Sequence, residues 1–166
     1  RNPPKKLKEN RVRKTYETEE DRKREQETVN HIQKYMGDMK ISPSLPYSYT
    51  VDRAVIINAD IRAWLEIKCQ QYKLEYYTLP EYWLSLRKAN EGIQWARVTK
   101  RPFFLIATFS DVGVRFTEIT LDCLQNYKIE YGGRTRTQRD AEDQELILKI
   151  PVDNFYKIEE LKERIQ

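Results

Sequence analysis

Residues 52–70 read DRAVIINADIRAWLEIKCQ, and the fold follows from how this stretch is paired. Residues 50–57 and 61–69 are rich in β-branched, aliphatic and aromatic side chains, while Asn58, Ala59 and Asp60 supply turn chemistry, which predicts a β-hairpin. A three-residue loop centred on Ala59 pairs Ile57 with Ile61. Facing residues of an antiparallel pair keep a constant index sum, so Arg53 falls opposite Leu65 and Asp52 opposite Glu66. Two carboxylates then meet across one rung.

Alternation along the strands puts Asp52, Ala54, Arg62, Trp64, Glu66, Lys68 and Gln70 on one face. Val51, Val55, Ile57, Ile61, Ala63, Leu65 and Ile67 take the other, which predicts a core side and a working side. Opposed like charges destabilise a sheet unless a cation lies between them. Two hard carboxylate donors favour Mg²⁺ or Mn²⁺ over zinc. A lysine two residues beyond Glu66 can hold a substrate phosphate or an attacking water beside that metal.

Asp52 followed by Glu66-Ile67-Lys68 resembles the metal site of the PD-(D/E)XK nuclease superfamily, a pattern shared by restriction endonucleases, archaeal Holliday junction resolvases and small phage-type nucleases. The residue before Asp52 is Val51 where the motif has Pro, a departure that weakens it as a signature. The resemblance implies Mg²⁺-dependent endonucleolytic hydrolysis of DNA, with Mn²⁺ able to substitute. It implies metal held by Asp52, Glu66 and the Ile67 carbonyl, Lys68 orienting or deprotonating the attacking water, and Gln70 assisting substrate positioning. It also implies a helix Glu, for which Glu25 is the first candidate and Glu27 the reserve. Glu-x-Lys also arises by chance on the solvent face of amphipathic strands.

Around the hairpin, residues 17–36 predict a helix with Thr18 as N-cap and Gly37 past its end. Its apolar stripe of Val29, Ile32 and Met36 extends back to Glu25. Residues 38–49, with prolines and serines, predict a short edge strand or extended segment. The tyrosine-dense run from Gln71 to Trp83 reads as a half-buried connection rather than a base-stacking surface. Ser85 can cap a helix over 86–100 with Leu86, Ala89, Ile93 and Ala96 inward. Arg87, Lys88, Arg97, Lys100 and Arg101 make that helix basic. In the superfamily it borders the active site, so Lys88 and Arg87 are candidate nucleic-acid contacts, with a solvated charged face as the alternative. Phe103–Phe109 predicts an interior strand after a crossover. Beyond Asp111, strands near 114–119, 127–131 and 145–151 predict a C-terminal β extension closed by a charged helix from about Asp153. Arg134 and Arg136 lie in a basic, glycine-containing loop, a further candidate for phosphate contact.

The expected fold is therefore α/β, with a mixed central β-sheet flanked by helices in a restriction-endonuclease-like core over about 17–110 and the β extension over 111–166. The 166 residues, 39% hydrophobic and 34% charged, predict one domain over 15–166. The formal charge of +4 is uneven. Residues 1–14 hold seven Lys or Arg against Glu9, a basic arm suited to phosphate contacts or to a solvated tail. One histidine, His31, and two cysteines, Cys69 and Cys123, without metal spacing exclude most zinc and triad chemistry. The absence of a long apolar run predicts an intracellular, cytoplasmic protein with no membrane partner, in keeping with a phage-encoded nuclease. DNA is the expected partner, and a homodimer is left open. The alternative function is a nuclease-fold protein that binds nucleic acid, or acts as a structural subunit, without cutting. Such a protein would typically have lost one of the acids, and both are present here.

Overall fold

The computed structural model describes residues 17–69, 73–133 and 144–166. Thr18 caps α1 (Glu19–Gln33) through a capping box with Asp21. Gly37 takes the left-handed φ of 59° just past its end. An edge strand β1 (Lys40–Ile41) leads to the hairpin of β2 (Arg53–Ile57) and β3 (Asp60–Lys68). Then follow β4 (Glu81–Ser85), α2 (Leu86–Thr99), β5 (Phe103–Phe109), β6 (Gly113–Glu118), α3 (Leu121–Asn126), β7 (Lys128–Gly133), β8 (Gln144–Pro151), β9 (Tyr156–Lys157) and α4 (Leu161–Ile165). The central sheet is mixed, in the order β1-β2-β3-β5-β6-β9. Only β3 and β5 run parallel, as expected for strands joined by a crossover that carries a helix.

The hairpin differs from the expected one at its turn. Ile57 pairs with Asp60, not Ile61, across a two-residue turn of Asn58 and Ala59, whose φ of 49° and 65° fit the type I′ geometry that matches strand twist. A bulge then inserts Arg62 between the pairs Ile56–Ile61 and Val55–Ala63. The extra residue restores the expected register beyond it, so Arg53 does face Leu65. The same bulge sends Ile61 to the face it shares with Ile56 and Trp64, while Ile57 stays with Val55.

Both faces of the central sheet are covered, which corrects the division into a core side and a working side. Val55, Ala63, Leu65 and Ile67 pack with Val29 and Ile32 of α1 and with Leu161. Ala54 and Trp64 pack with α2 and with Tyr82, Leu84, Leu148 and Ile150, and Val51 joins this second cluster. Gly92 costs about 1 kcal/mol in a helix interior relative to alanine. A Cβ there would lie 2.0 Å from Phe103 Cε1, so its absence is what lets α2 lie against β5.

The C-terminal β region divides. β7 and β8 join β4 in a separate antiparallel sheet of order β4-β8-β7, and β9 closes the edge of the central one. β4 itself was not foreseen, although Tyr82 and Leu84 alternate inward between exposed or half-buried neighbours as a half-covered strand requires. The helix expected from Asp153 shrinks to α4, because Phe155 and Ile158 are buried on either side of β9 and hold that stretch out of a helix. Ser85 precedes α2 but makes no capping hydrogen bond. Among the described residues no helix is long and apolar enough to cross a membrane.

Candidate active site

The acid end of the hairpin is a charge cluster on the α2 face of the sheet. Asp52 lies one residue before β2, and its amide still donates to the Leu65 carbonyl at 3.0 Å. Its Oδ2 accepts from the Ile67 amide at 2.7 Å, which fixes the carboxyl beside β3. Glu66, at 1% exposure, is buried in the same place. Its Oε1 is 3.0 Å from Lys68 Nζ and 3.7 Å from Lys88 Nζ of α2. Lys88 also donates to the Thr50 carbonyl at 3.1 Å.

Two acids and two lysines do not balance as two equal pairs. Burial, and after it the charge of Glu66, pushes the Asp52 carboxyl up to about 7, against the pull of Lys68, the Ile67 amide and Lys88. Glu66 holds Lys68 above the ordinary lysine range, despite the opposing cost of burial. The lysines are thus spent mainly on Glu66, and Asp52 keeps its proton to near neutrality. A divalent cation between the acids would favour the ionised form of both. The donors present, two carboxylates and the Ile67 carbonyl on the same strand edge as its bonded amide, are the hard oxygens that Mg²⁺ or Mn²⁺ takes alongside several waters. Among the described residues no three His, Cys, Asp or Glu side chains gather as a metal cluster, so a cation here would draw much of its shell from water and substrate.

Of the sequence candidates, the fold brings together Asp52, Glu66, Ile67, Lys68 and Lys88. Lys88, foreseen as a phosphate contact, reaches the acid pair itself. Arg87, its neighbour, instead pairs with Glu91 at 3.5 Å and lines an apolar cavity with Leu124, Ile129 and Leu146. Glu25 faces the sheet as its stripe position predicts, but from the α1 side. There its Oε2 accepts from Arg53 Nη2 at 2.8 Å, and Ser44 approaches at 3.4 Å. Arg53, buried at 4% exposure, also donates to the Ser42 carbonyl at 3.0 Å. Sequence reasoning missed Arg53, though its odd position within an otherwise apolar strand face signals a buried cation that needs a carboxylate. Cys69, half-buried, lies 3.1 Å from the Thr28 hydroxyl, and burial pushes its thiol up. Gln70, Arg134, Arg136 and the arm over 1–14 lie outside the described residues.

Comparison with known proteins follows the same line. Residues 11–158 match the model of a family described as phage putative PDDEXK endonuclease. Among solved structures, the chain is similar to Hjc, a Holliday junction resolvase from the archaeal hyperthermophile Archaeoglobus fulgidus. The TM-score is 0.56 and the identity 14%, with 86% of this chain and 94% of the resolvase covered. At that identity the likeness shows the fold. No significant match was found among curated protein sequences.

Proposed function

This chain belongs to the phage PDDEXK endonuclease family, and we propose that it hydrolyses DNA phosphodiester bonds with Mg²⁺, or Mn²⁺ in its place, at the Asp52–Glu66 pair. The observation that carries this reading is the gathering of Asp52, held by the Ile67 amide, beside the buried Glu66 and its two lysines, where burial and then the charge of Glu66 push Asp52 up to about 7. Structure alone gains nothing from such a conflict.

Asp52 and Glu66 would hold the cation, with the Ile67 carbonyl as a third donor. When bound, the cation would supply Lewis-acid polarisation of the phosphate and a bound water more acidic than bulk water. The Ile67 amide keeps Asp52 from turning away. Lys68 is firmly protonated beside Glu66, which favours its orienting the attacking water and countering phosphate charge over its acting as a base. Lys88 approaches the same Glu66 oxygen as Lys68 and would offer a second cation to the phosphate. Glu25 acts at one remove, through Arg53, as a positioning group for the strand that begins just after Asp52.

Purified protein incubated with circular, linear and single-stranded DNA should cut in Mg²⁺ or Mn²⁺ and not in EDTA or Ca²⁺, since Ca²⁺ prefers a looser oxygen shell. Opening of circular DNA marks endonucleolytic attack. Asp52→Asn should be silent on every substrate. Undiminished cutting in EDTA, or by Asp52→Asn, overturns the assignment.

A further inference from the structure

Between β1 and Asp52 the chain makes one turn of 3-10 helix at Tyr47–Tyr49, followed by Thr50 with a left-handed φ of 61°. A β-branched residue is strained there, and such a conformation persists only where the surroundings impose it. Two side chains of α2 do so. Trp95 Nε1 donates to the Tyr49 carbonyl at 2.7 Å, and Lys88 Nζ donates to that of Thr50. The rings form a column on the same support. Trp64, in the core, lies 5.2 Å from Trp95, and Trp95 stacks on Tyr49 with centroids 5.6 Å apart and planes at 27°. Tyr49 is 40% exposed and Tyr47, two residues earlier on the same turn, 70%. The column therefore starts in the core and ends in solvent at Tyr49, and Tyr47 on the same turn is a further ring that gains little from burial.

Lys88 ties this column to the acid pair. Its Nζ is 3.1 Å from the Thr50 carbonyl and 3.7 Å from Glu66 Oε1, so the end of the turn lies within about 7 Å of the acid site, the span of two stacked nucleotides. Resting on the nuclease reading above, we propose that Tyr47 and Tyr49 form a stacking platform for an unpaired nucleobase beside the scissile phosphate. The substrate is then DNA with unpaired nucleotides at the cut, such as a gap, flap or splayed end. In an uninterrupted duplex every base is stacked and paired, whereas a splayed base offers a free π-face to an aromatic ring. The acid site requires only a phosphate, and the platform adds the selection for single-stranded character next to it.

The test compares two labelled DNAs of one sequence, a full duplex and the same duplex with splayed single-stranded arms, bound in EDTA so that neither is cut. Wild type should bind the splayed form about tenfold more tightly, in line with one base stacked. Tyr47→Ala, on the exposed turn, and Tyr49→Leu, which keeps an apolar side chain against Trp95, should each remove most of that preference and leave duplex affinity unchanged. Tyr47→Phe should retain it. In a Trp83→Phe background the splayed DNA should quench the fluorescence of the Trp64–Trp95 column and the duplex should not. Equal loss for both DNAs, or no loss in either variant, overturns the platform. Cutting by wild type in Mg²⁺ is scored separately. Cutting without a splayed-form preference overturns the platform alone, a preference without cutting overturns the nuclease reading alone, and binding to neither DNA overturns both.

Discussion

Two charged clusters sit on opposite faces of the same hairpin, and they are built differently. On the α1 face one buried cation, Arg53, meets one carboxylate, Glu25, with the Ser42 carbonyl and Gln26 taking further guanidinium hydrogens. On the α2 face Glu66 takes both lysines and Asp52 is left near neutrality. The first is a matched pair, which locks an element in place. The second is frustrated in the protein by itself, and a bound cation would relieve it. Burial alone does not separate them, since Arg53 and Glu66 are both almost inaccessible; the balance of charge does.

The sharpest way to break the comparison is Asp52→Asn. Asparagine keeps an oxygen for the Ile67 amide but removes the charge, so on the metal reading cleavage should fall by a thousandfold or more, about 4 kcal/mol of transition-state stabilisation. The metal-free variant should nonetheless melt no lower than wild type at pH 8, because a repelled, buried carboxylate has been removed. Cleavage assays and thermal melts in EDTA measure the two effects. A variant that melts well below wild type would mean that Asp52 is structural.

Glu25→Gln should behave in the opposite way. Removing one partner leaves Arg53 buried and unpaired, and breaking a buried pair costs about 3 kcal/mol. Chemical denaturation should show that loss, while DNA cutting at a temperature where the variant stays folded should fall less than tenfold. A thousandfold loss of cutting without a loss of stability would make Glu25 a metal ligand instead of a positioning group.

The pH dependence sharpens the contrast further. Asp52 keeps its proton to about pH 7 in the folded protein, whereas an unfolded aspartate loses it near 4. The proton is thus bound more tightly in the folded state, so the metal-free protein should lose stability as pH rises from about 4 to 7, and Asp52→Asn should remove that slope. A cation must displace the same proton, so apparent Mg²⁺ affinity should rise up to tenfold per pH unit below 7 and level off above it. Calorimetric titrations at several pH values would detect a flat profile, which would sink the link between the two.

How much of this was legible in the sequence depends on what each feature rests on. The opposition of Asp52 and Glu66 follows from alternation and a constant index sum. The register predicted on that basis is found at Arg53–Leu65 despite the shorter turn, because the Arg62 bulge returns the residue that the turn removes, while Asp52 itself lies one residue beyond the ladder with its amide on the Leu65 carbonyl. The reach of Lys88 to Glu66 could not be read, since it depends on how α2 lies across the sheet, which Gly92 and the Phe103 ring decide. The Arg53–Glu25 pair could not be read as a pair, although Arg53 was out of place on its face. β4 was hidden by its partners, because it pairs with β8 more than sixty residues later and tertiary pairing, not local pattern, makes it a strand.

The smallest expected effect lies at the far end of the hairpin and tests whether the clusters depend on the turn. Ala59 has a φ of 65°, where a Cβ is crowded and glycine is not. The type I′ turn favours glycine at this second position after asparagine. Ala59→Gly should therefore relieve about 1 kcal/mol of strain, less the added freedom of the unfolded chain, for a net gain of roughly 0.5 kcal/mol. The register at Arg53–Leu65 is fixed beyond the bulge, so neither cluster should respond. Cutting rate and the pH slope should match wild type within error while the melting temperature rises by a degree or two. A tenfold change in cutting from this substitution would show that the turn and the acid end move together, and that the bulge does not insulate the site from the loop that leads into it.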